Sequence, residues 1–370
     1  MKKIFFLINS LEGGGAERVI VNISEKLSET YDITIITLKN TNFFELSSGV
    51  KHIALSNIKN NFLMFLLIPF YIYKFKKLLK KEKFVTGMSS LEISNFVNIL
   101  SNKNAIIAFE TNIGFFQSIT GYIYKLLIKV LYPIAKKIKV NSEENKYHLA
   151  EYLNIELDKI FTIYNPIDIE KIEKLKNEVI EEDLLNKIKG KQVFITVGRL
   201  IKSKYHKRII NSFSKIKGKN WIYLIIGDGL ERKKLEELVN KLGLEKKIIF
   251  LGSKKNVFKY LNISNFFLYA SKIEGFPNVL GEAMACNLPI ITSNFVSGAT
   301  EIIIGSYSNK LKNIKYPYYG DNGVLIDLDN YENYFLEIYN NLNKIKQIKT
   351  GFEKFNIKKI EKDFENILFN

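Results

Sequence analysis

The sequence predicts an α/β protein made of two successive open units, each a set of parallel strands joined by crossover helices. Short β-branched or aromatic runs alternate with helix-patterned segments, which is how parallel strands and their crossovers read in sequence. A charged, helix-forming stretch at residues 169–190, IEKIEKLKNEVIEEDLLNKIKG, interrupts the alternation, which then starts afresh. The chain's 370 residues, 46% of them apolar, suffice for two cores at roughly 100–200 residues per domain.

Taken in order, KIFFLI (3–8) is the first strand, ERVIVNISEKL (17–27) a helix and DITIITL (32–38) the next strand. The pattern continues through NAIIAFE (104–110), AKKIKVN (135–141) and KIFTIYN (159–165). The second series runs QVFITVG (192–198), WIYLIIG (221–227), KIIFLG (247–252), NFFLYAS (265–271), LPIITS (288–293) and GVLIDL (323–328). From about Tyr331 the tail is helical and lysine-rich. The expected domains are 1–165, 166–350 and a C-terminal helix, 351–370, packing back across both.

The opening MKKIFFLINS resembles a signal peptide only superficially: its apolar run is too short, and a cleavage site would fall in the glycine loop, so it reads as a buried strand. The apolar run Phe62–Tyr73 is likewise shorter than the roughly 17–25 residues that span a bilayer. With Cys286 as the single cysteine there is no intrachain disulfide framework and no thiolate cluster, which fits a reducing compartment. His52, His148 and His206 are scattered, and the HExxH, GxSxG and Walker lysine patterns are absent, which removes the usual support for hydrolase and P-loop ATPase readings. A formal charge of +17 asks for an anionic partner: nucleic acid, a phosphorylated ligand or a membrane surface.

Three consecutive glycines, Gly13, Gly14 and Gly15, lie between the first strand and a helix expected to start near Ala16. A dinucleotide fingerprint fails here, because Arg18 stands where its third glycine belongs and the second strand leads into Lys39 instead of an acidic residue. The loop still offers backbone N–H groups at a helix N-terminus, which suits an anion. IDLDN and GDGLER look like motifs, but Asp327 and Asp329 read as a turn before a helix, and Asp228 with Gly229 as a strand-to-helix turn.

VGRLIKSKYHKRII, IIGDGLERKKLEEL and above all ASKIEGFPNVLGEAMACNLPIITSNFVSGATEII, with the glutamate pair Glu274 and Glu282, resemble glycosyltransferase family 4 over nearly the whole chain. The resemblance implies the GT-B fold, two facing Rossmann-like domains with a deep interdomain cleft, and retaining, nucleotide-sugar-dependent chemistry. In this reading Ser271–Pro277 is a loop and Asn278 begins a helix whose positive end receives a diphosphate. Glu282, one turn in, accepts ribose hydroxyls, while Glu274 accepts sugar hydroxyls. Arg199 and Lys204 stabilise the departing diphosphate. The implied catalytic residues are therefore Arg199, Lys204 and Glu274. The implied donor site is these three with Gly14, Gly15, Gly275, Phe276, Asn278, Val279, Leu280 and Glu282. Arg18, Glu110, Thr111 and Asn112 are candidates for the acceptor, Arg18 serving equally well in a helix-surface ion pair. No metal or other cofactor is implied. Two departures stand out: Thr111 occupies the place where many relatives carry a cleft histidine, and Asn287 a place where many carry glycine.

The activity implied is transfer of a sugar, GalNAc or another hexose, from a UDP-sugar to an acceptor hydroxyl, forming an α-glycosidic bond by same-face attack. Within the family the pattern is most like enzymes that extend undecaprenyl-diphosphate-linked oligosaccharides, with lipopolysaccharide and capsule enzymes similar. Two lysine-bearing aromatic segments, NFLMFLLIPFYIYKFKKLLKK and GYIYKLLIKVLYPIAKKIK, suggest a cytoplasmic enzyme peripheral on the inner face of the membrane, meeting anionic lipid. The alternatives are a GT-B UDP-sugar epimerase and a basic nucleic-acid-binding protein. The second lacks cations concentrated on one recognition element, so no nucleic-acid partner is expected.

Overall fold

A computed structural model describes every residue except 42, 59, 219, 296–297, 306–313 and 347–350, so the expected boundary at residue 350 lies outside the described residues. The chain divides into two compact units, Met1–Pro166 with Lys354–Asn370, and Ile167–Glu353.

The first unit is a seven-stranded sheet of β1 (Lys3–Ile8), β2 (Asp32–Thr37), β3 (Val50–Ala54), β4 (Thr86–Ser90), β5 (Ile106–Phe109), β6 (Lys137–Val140) and β7 (Ile160–Thr162). Its order is β3-β2-β1-β4-β5-β6-β7, all parallel. β1 and β2 are continuous apolar runs because helices cover both faces of a parallel sheet. β3 and β4 escape the sequence pattern for separate reasons. β3 is a half-exposed edge strand carrying Lys51 and His52. β4 is central yet reads TGMSS, because its neighbours need small and polar residues there. A Cβ on Gly87 would fall 2.3 Å from the Phe5 ring. Ser89 donates to Asn95 at 2.8 Å and accepts from Asn98 at 3.1 Å, and both amides come from the covering helix Glu92–Ser101.

The C-terminal helix Ile357–Phe369 belongs to this first unit and buries Ile360, Phe364 and Ile367 in the core shared with β1 and β2. Its last-turn carbonyls, which lack intrahelical donors, are met by the sheet: Thr86 Oγ1 donates to the Leu368 carbonyl at 2.9 Å and Lys137 Nζ to that of Ile367 at 3.0 Å.

The second unit repeats the plan with β8 (Gln192–Val197), β9 (Trp221–Ile226), β10 (Ile248–Gly252), β11 (Phe266–Tyr269), β12 (Ile290–Ser293), β13 (Tyr318–Gly320) and β14 (Gly323–Ile326). The order is β10-β9-β8-β11-β12-β14-β13, parallel except for the antiparallel edge strand β13, which is too short to register as a sequence run. An aromatic core of Phe194, Phe213, Trp221, Tyr223 and Phe335 holds this sheet to its helices. The Phe213 ring lies 4.5 Å from Trp221 and 4.9 Å from Tyr223, centroid to centroid. Among the parallel strands the order reverses between β1 and β4 in one sheet and between β8 and β11 in the other, and ligands of open α/β sheets bind outside the carboxyl ends of the strands at such a reversal.

Candidate functional site

At the reversal point of the second unit, the loop after β8 and the loop after β11 bring Lys204 and Glu274 together. Lys204 Nζ lies 2.6 Å from Glu274 Oε1, with the two side chains 16% and 13% exposed. Tyr269, the last residue of β11, completes the cluster: its hydroxyl donates to the same carboxylate oxygen at 3.0 Å and also receives Lys204 Nζ. Burial first, then the Glu274 carboxylate, push the Tyr269 phenol well above its ordinary range, while the nearby Arg199 guanidinium pulls it down. Arg199 itself is exposed. The arrangement is a half-buried cation held by a carboxylate, with a second cation at the surface.

The loop that carries both cations is held from beneath. Tyr205 adopts φ +45°, a left-handed conformation costly for a residue with a Cβ, and ends the short 3-10 turn Lys202–Lys204. The buried His206 lies against the Arg199 carbonyl, Nε2 to oxygen 3.2 Å. A carbonyl only accepts, so Nε2 carries the proton and Nδ1, buried and with no hydrogen-bond partner among the described residues, is bare. Burial lowers the His206 pKa to about 4, so the ring is neutral at pH 7.

The helix Asn278–Ala285 begins directly after the loop that follows β11, with Pro277 as its N-cap. Glu282 lies four residues from Asn278, on the same face, and both are half-buried. Leu280 is fully buried and its N–H donates to the Pro277 carbonyl at 3.0 Å, so its side chain serves the core. Phe276 is buried, and Gly275 and Val279 are half-buried. Asp228 Oδ1 accepts from the Gly229 N–H at 2.7 Å and its Oδ2 from Arg232 at 2.9 Å, closing the turn after β9. The Asp329 carbonyl accepts from Arg208 at 3.0 Å.

In the first unit the glycine loop leads into the helix Gly15–Leu27 with Gly14 as N-cap. Gly13 takes φ +92°, and a Cβ on Gly14 would lie 2.2 Å from Oε2 of Glu17, so the bare backbone lets that carboxylate fold onto the loop. A Cβ on Gly15 would meet nothing within 4 Å, and Arg18 is exposed one turn into the helix. Glu110 is spent internally: Lys139, which is completely buried, donates to Oε1 at 2.8 Å and Asn141 to Oε2 at 3.4 Å. Asn112 donates to Asn145 at 3.0 Å and accepts from the Gly114 N–H at 2.8 Å, while Thr111 donates to Glu92 at 3.3 Å. Burial raises the Glu92 carboxyl. Tyr269, Lys139 and Glu92 escape motif reading, the first because it ends an apolar strand and the second because it looks like one more surface lysine.

Two doubly wound, mostly parallel sheets, each with polar side chains at the carboxyl ends of its strands, are the architecture of the GT-B fold. The structure superposes on the apo form of the lipopolysaccharide outer core galactosyltransferase WaaB with a TM-score of 0.71 over 98% of each chain at 22% identity. It superposes on Anabaena HepE in complex with UDP and glucose with a TM-score of 0.72 over 99% of each chain at 16% identity. Residues 13–171 match the family described as Glycosyltransferase Family 4, and residues 180–316 that described as Glycosyl transferases group 1. A Campylobacter jejuni protein is 30% identical over 347 residues, 90% of this chain and 88% of its own length: the N-acetylgalactosamine-N,N'-diacetylbacillosaminyl-diphospho-undecaprenol 4-alpha-N-acetylgalactosaminyltransferase. The chain belongs to glycosyltransferase family 4.

Proposed function

We propose that this enzyme transfers a sugar, N-acetylgalactosamine or another hexose, from a UDP-sugar to a hydroxyl of a lipid-linked oligosaccharide, with retention and an α-linkage. The observation that carries the reading is the Lys204–Glu274 contact, which joins residues 70 positions apart at the reversal point of the second sheet. The second unit takes the nucleotide sugar and the first the acceptor. Glu282 holds the ribose, the start of the helix at Asn278 and the cations Arg199 and Lys204 hold the diphosphate, and Glu274 reaches the sugar. Two fixed cations supply the charge stabilisation that other transferases obtain from a divalent ion, so transfer proceeds without a metal. The donor assignment is supported by the UDP bound to HepE, and the acceptor by the substrate named for the Campylobacter relative.

A lipid-linked acceptor has to be met at a membrane surface, and the first unit offers one. Among the described residues no helix is long and apolar enough to cross a membrane. Yet Leu66, Tyr73, Tyr122, Leu126 and Val130, on the helical segments 61–82 and 119–131, are 58–67% exposed. The Phe65 and Tyr124 rings, 5.6 Å apart, hold these segments side by side. Lys76, Lys77, Lys80 and Lys81 are exposed on the same segment, whereas Lys74 is tied to the Leu55 carbonyl at 2.8 Å. Lysines near an anionic leaflet contribute about 1 kcal/mol each, and the apolar side chains add a part that salt does not weaken.

The experiment is a panel of UDP-sugars tested for protection against thermal unfolding, since a ligand at 100 times its Kd adds about 2.7 kcal/mol. The matching UDP-sugar raises Tm and the others do not; a flat panel contradicts the donor assignment. Replacing the four exposed lysines by glutamine releases the protein from anionic vesicles in flotation while sparing donor protection. Wild-type protein that ignores anionic vesicles at low salt contradicts the membrane assignment.

A further inference from the structure

At the reversal point of the first sheet, outside β1 and β4, lies a cavity of about 250 Å³ bounded by first-unit residues alone. This is the scale of one pyranose with a substituent, smaller than the roughly 300–1,000 Å³ that accepts a drug-sized ligand. We propose that it takes the acceptor's terminal sugar and selects a 2-acetamido sugar there. The proposal rests on the glycosyl-transfer reading above and deepens it.

The lining is mixed in chemistry, combining Met64, Leu91, Ile93 and Tyr124 with Asn9, Ser10, Glu12, Glu17 and Lys39. The buried Lys39 Nζ lies 2.8 Å from Glu12 Oε1, so the lining's ammonium is held by a carboxylate. Carboxylates accept hydroxyl donors, and an aliphatic and aromatic wall suits the apolar face of a pyranose and an acetyl methyl.

Asn9 gives the cavity its selectivity. Its Oδ1 accepts from the Ser94 backbone N–H at 3.0 Å and from the Ser94 hydroxyl at 2.8 Å. A backbone N–H can only donate, so the orientation of the amide is fixed, oxygen toward Ser94 and NH2 away from it. Among the described residues nothing accepts from that NH2, and Asn9 lines the cavity. The Asn9 donor, set near an apolar wall, matches an acetamido group, carbonyl to the NH2 and methyl to the wall. A sugar with a hydroxyl at that carbon leaves the wall empty.

Asn9→Asp keeps the shape and the oxygen facing Ser94 and exchanges the donor for an acceptor. Wild-type and variant enzyme are compared on two lipid-linked acceptors that differ only in their terminal residue, 2-acetamido sugar or hexose, with thermal unfolding confirming the fold. The wild type prefers the acetamido acceptor by at least about tenfold in kcat/KM, the worth of one well-placed hydrogen bond, and Asn9→Asp abolishes the preference through KM while donor protection persists. In a test that needs no variant, saturation-transfer NMR of a methyl N-acetylhexosaminide on wild-type protein shows its strongest effect at the acetyl methyl. Equal use of the two acceptors by the wild type, or a preference that Asn9→Asp leaves intact, overturns the proposal while leaving the transferase reading in place. Failure to transfer to either acceptor overturns the transferase reading instead.

Discussion

Lys204→Met keeps the aliphatic stem of the lysine and removes its charge. The ammonium it deletes sits 2.6 Å from Glu274 in a site where both side chains are less than one-fifth exposed. In the resting protein Glu274 retains the Tyr269 hydroxyl at 3.0 Å, so the loss is the two hydrogen bonds that Lys204 donates, to Glu274 and to the Tyr269 hydroxyl, the charge-assisted one worth about 1.5–3 kcal/mol, and the fold survives. Donor affinity falls by about tenfold or less, since in the proposed site the exposed Arg199 remains as a second cation for the diphosphate. Turnover falls further. Charge accumulates on the diphosphate as the glycosidic bond breaks, and losing one preorganised partner for developing charge costs about 10²–10³ in kcat, some 2.7–4 kcal/mol. The assay pairs initial rates of UDP release at saturating donor and acceptor with calorimetric donor binding. A variant whose kcat stays within about threefold of wild type, or whose whole deficit lies in donor affinity, refutes the assignment of Lys204 to the departing diphosphate.

Glu282→Ala loses the carboxylate assigned to the ribose and weakens donor binding by about 1.5–3 kcal/mol in calorimetry, with unfolding unchanged; intact affinity removes Glu282 from the nucleotide site. His206 is neutral in the folded protein down to about pH 4 but takes up a proton near 6.5 when unfolded. The unfolded state therefore binds more protons as pH falls from 6.5 toward 4, and stability drops over that window by about 3 kcal/mol from this residue. Urea titrations of His206→Gln show a shallower loss across the same window, whereas parallel profiles contradict it. Lys139→Met strands the buried Glu110 carboxylate and costs about 3–5 kcal/mol in urea unfolding. Adding Glu110→Gln recovers most of this, and a single variant as stable as wild type contradicts the buried pair.

Strands whose apolar runs lie between helices, such as QVFITVG and WIYLIIG, were legible because two-sided burial leaves a continuous apolar signal. The strand Thr86–Ser90 was not, since its surroundings supply bulk through Phe5 and polar partners through Asn95 and Asn98. Its small residues answer a tertiary demand that no local window contains. In the second unit the glutamate pair and the loop cations stood out as candidates, and of these Lys204 and Glu274 meet. Tyr269 was not, because a tyrosine ending an apolar strand looks like core until its hydroxyl finds Glu274. The surroundings of the first-unit candidates were least legible. Glu110 read as a group free to reach an acceptor, yet Lys139, from the adjacent strand and completely buried, holds its carboxylate inside. Asn9 reads as the end of a strand, and its fixed amide emerges only when Ser94 is brought to it from 85 residues away.

The most direct measurement follows labelled sugar from UDP-N-acetylgalactosamine, and from the other UDP-sugars, into an organic-phase extract of vesicles carrying an undecaprenyl-diphosphate-linked oligosaccharide. The purified enzyme is assayed with EDTA present throughout. The account predicts that label from one UDP-sugar enters the lipid phase in step with UDP release, that both require the acceptor, and that the new linkage is α. Label that stays in the aqueous phase, UDP release indifferent to the acceptor, or transfer that appears only when a divalent ion is restored would contradict it.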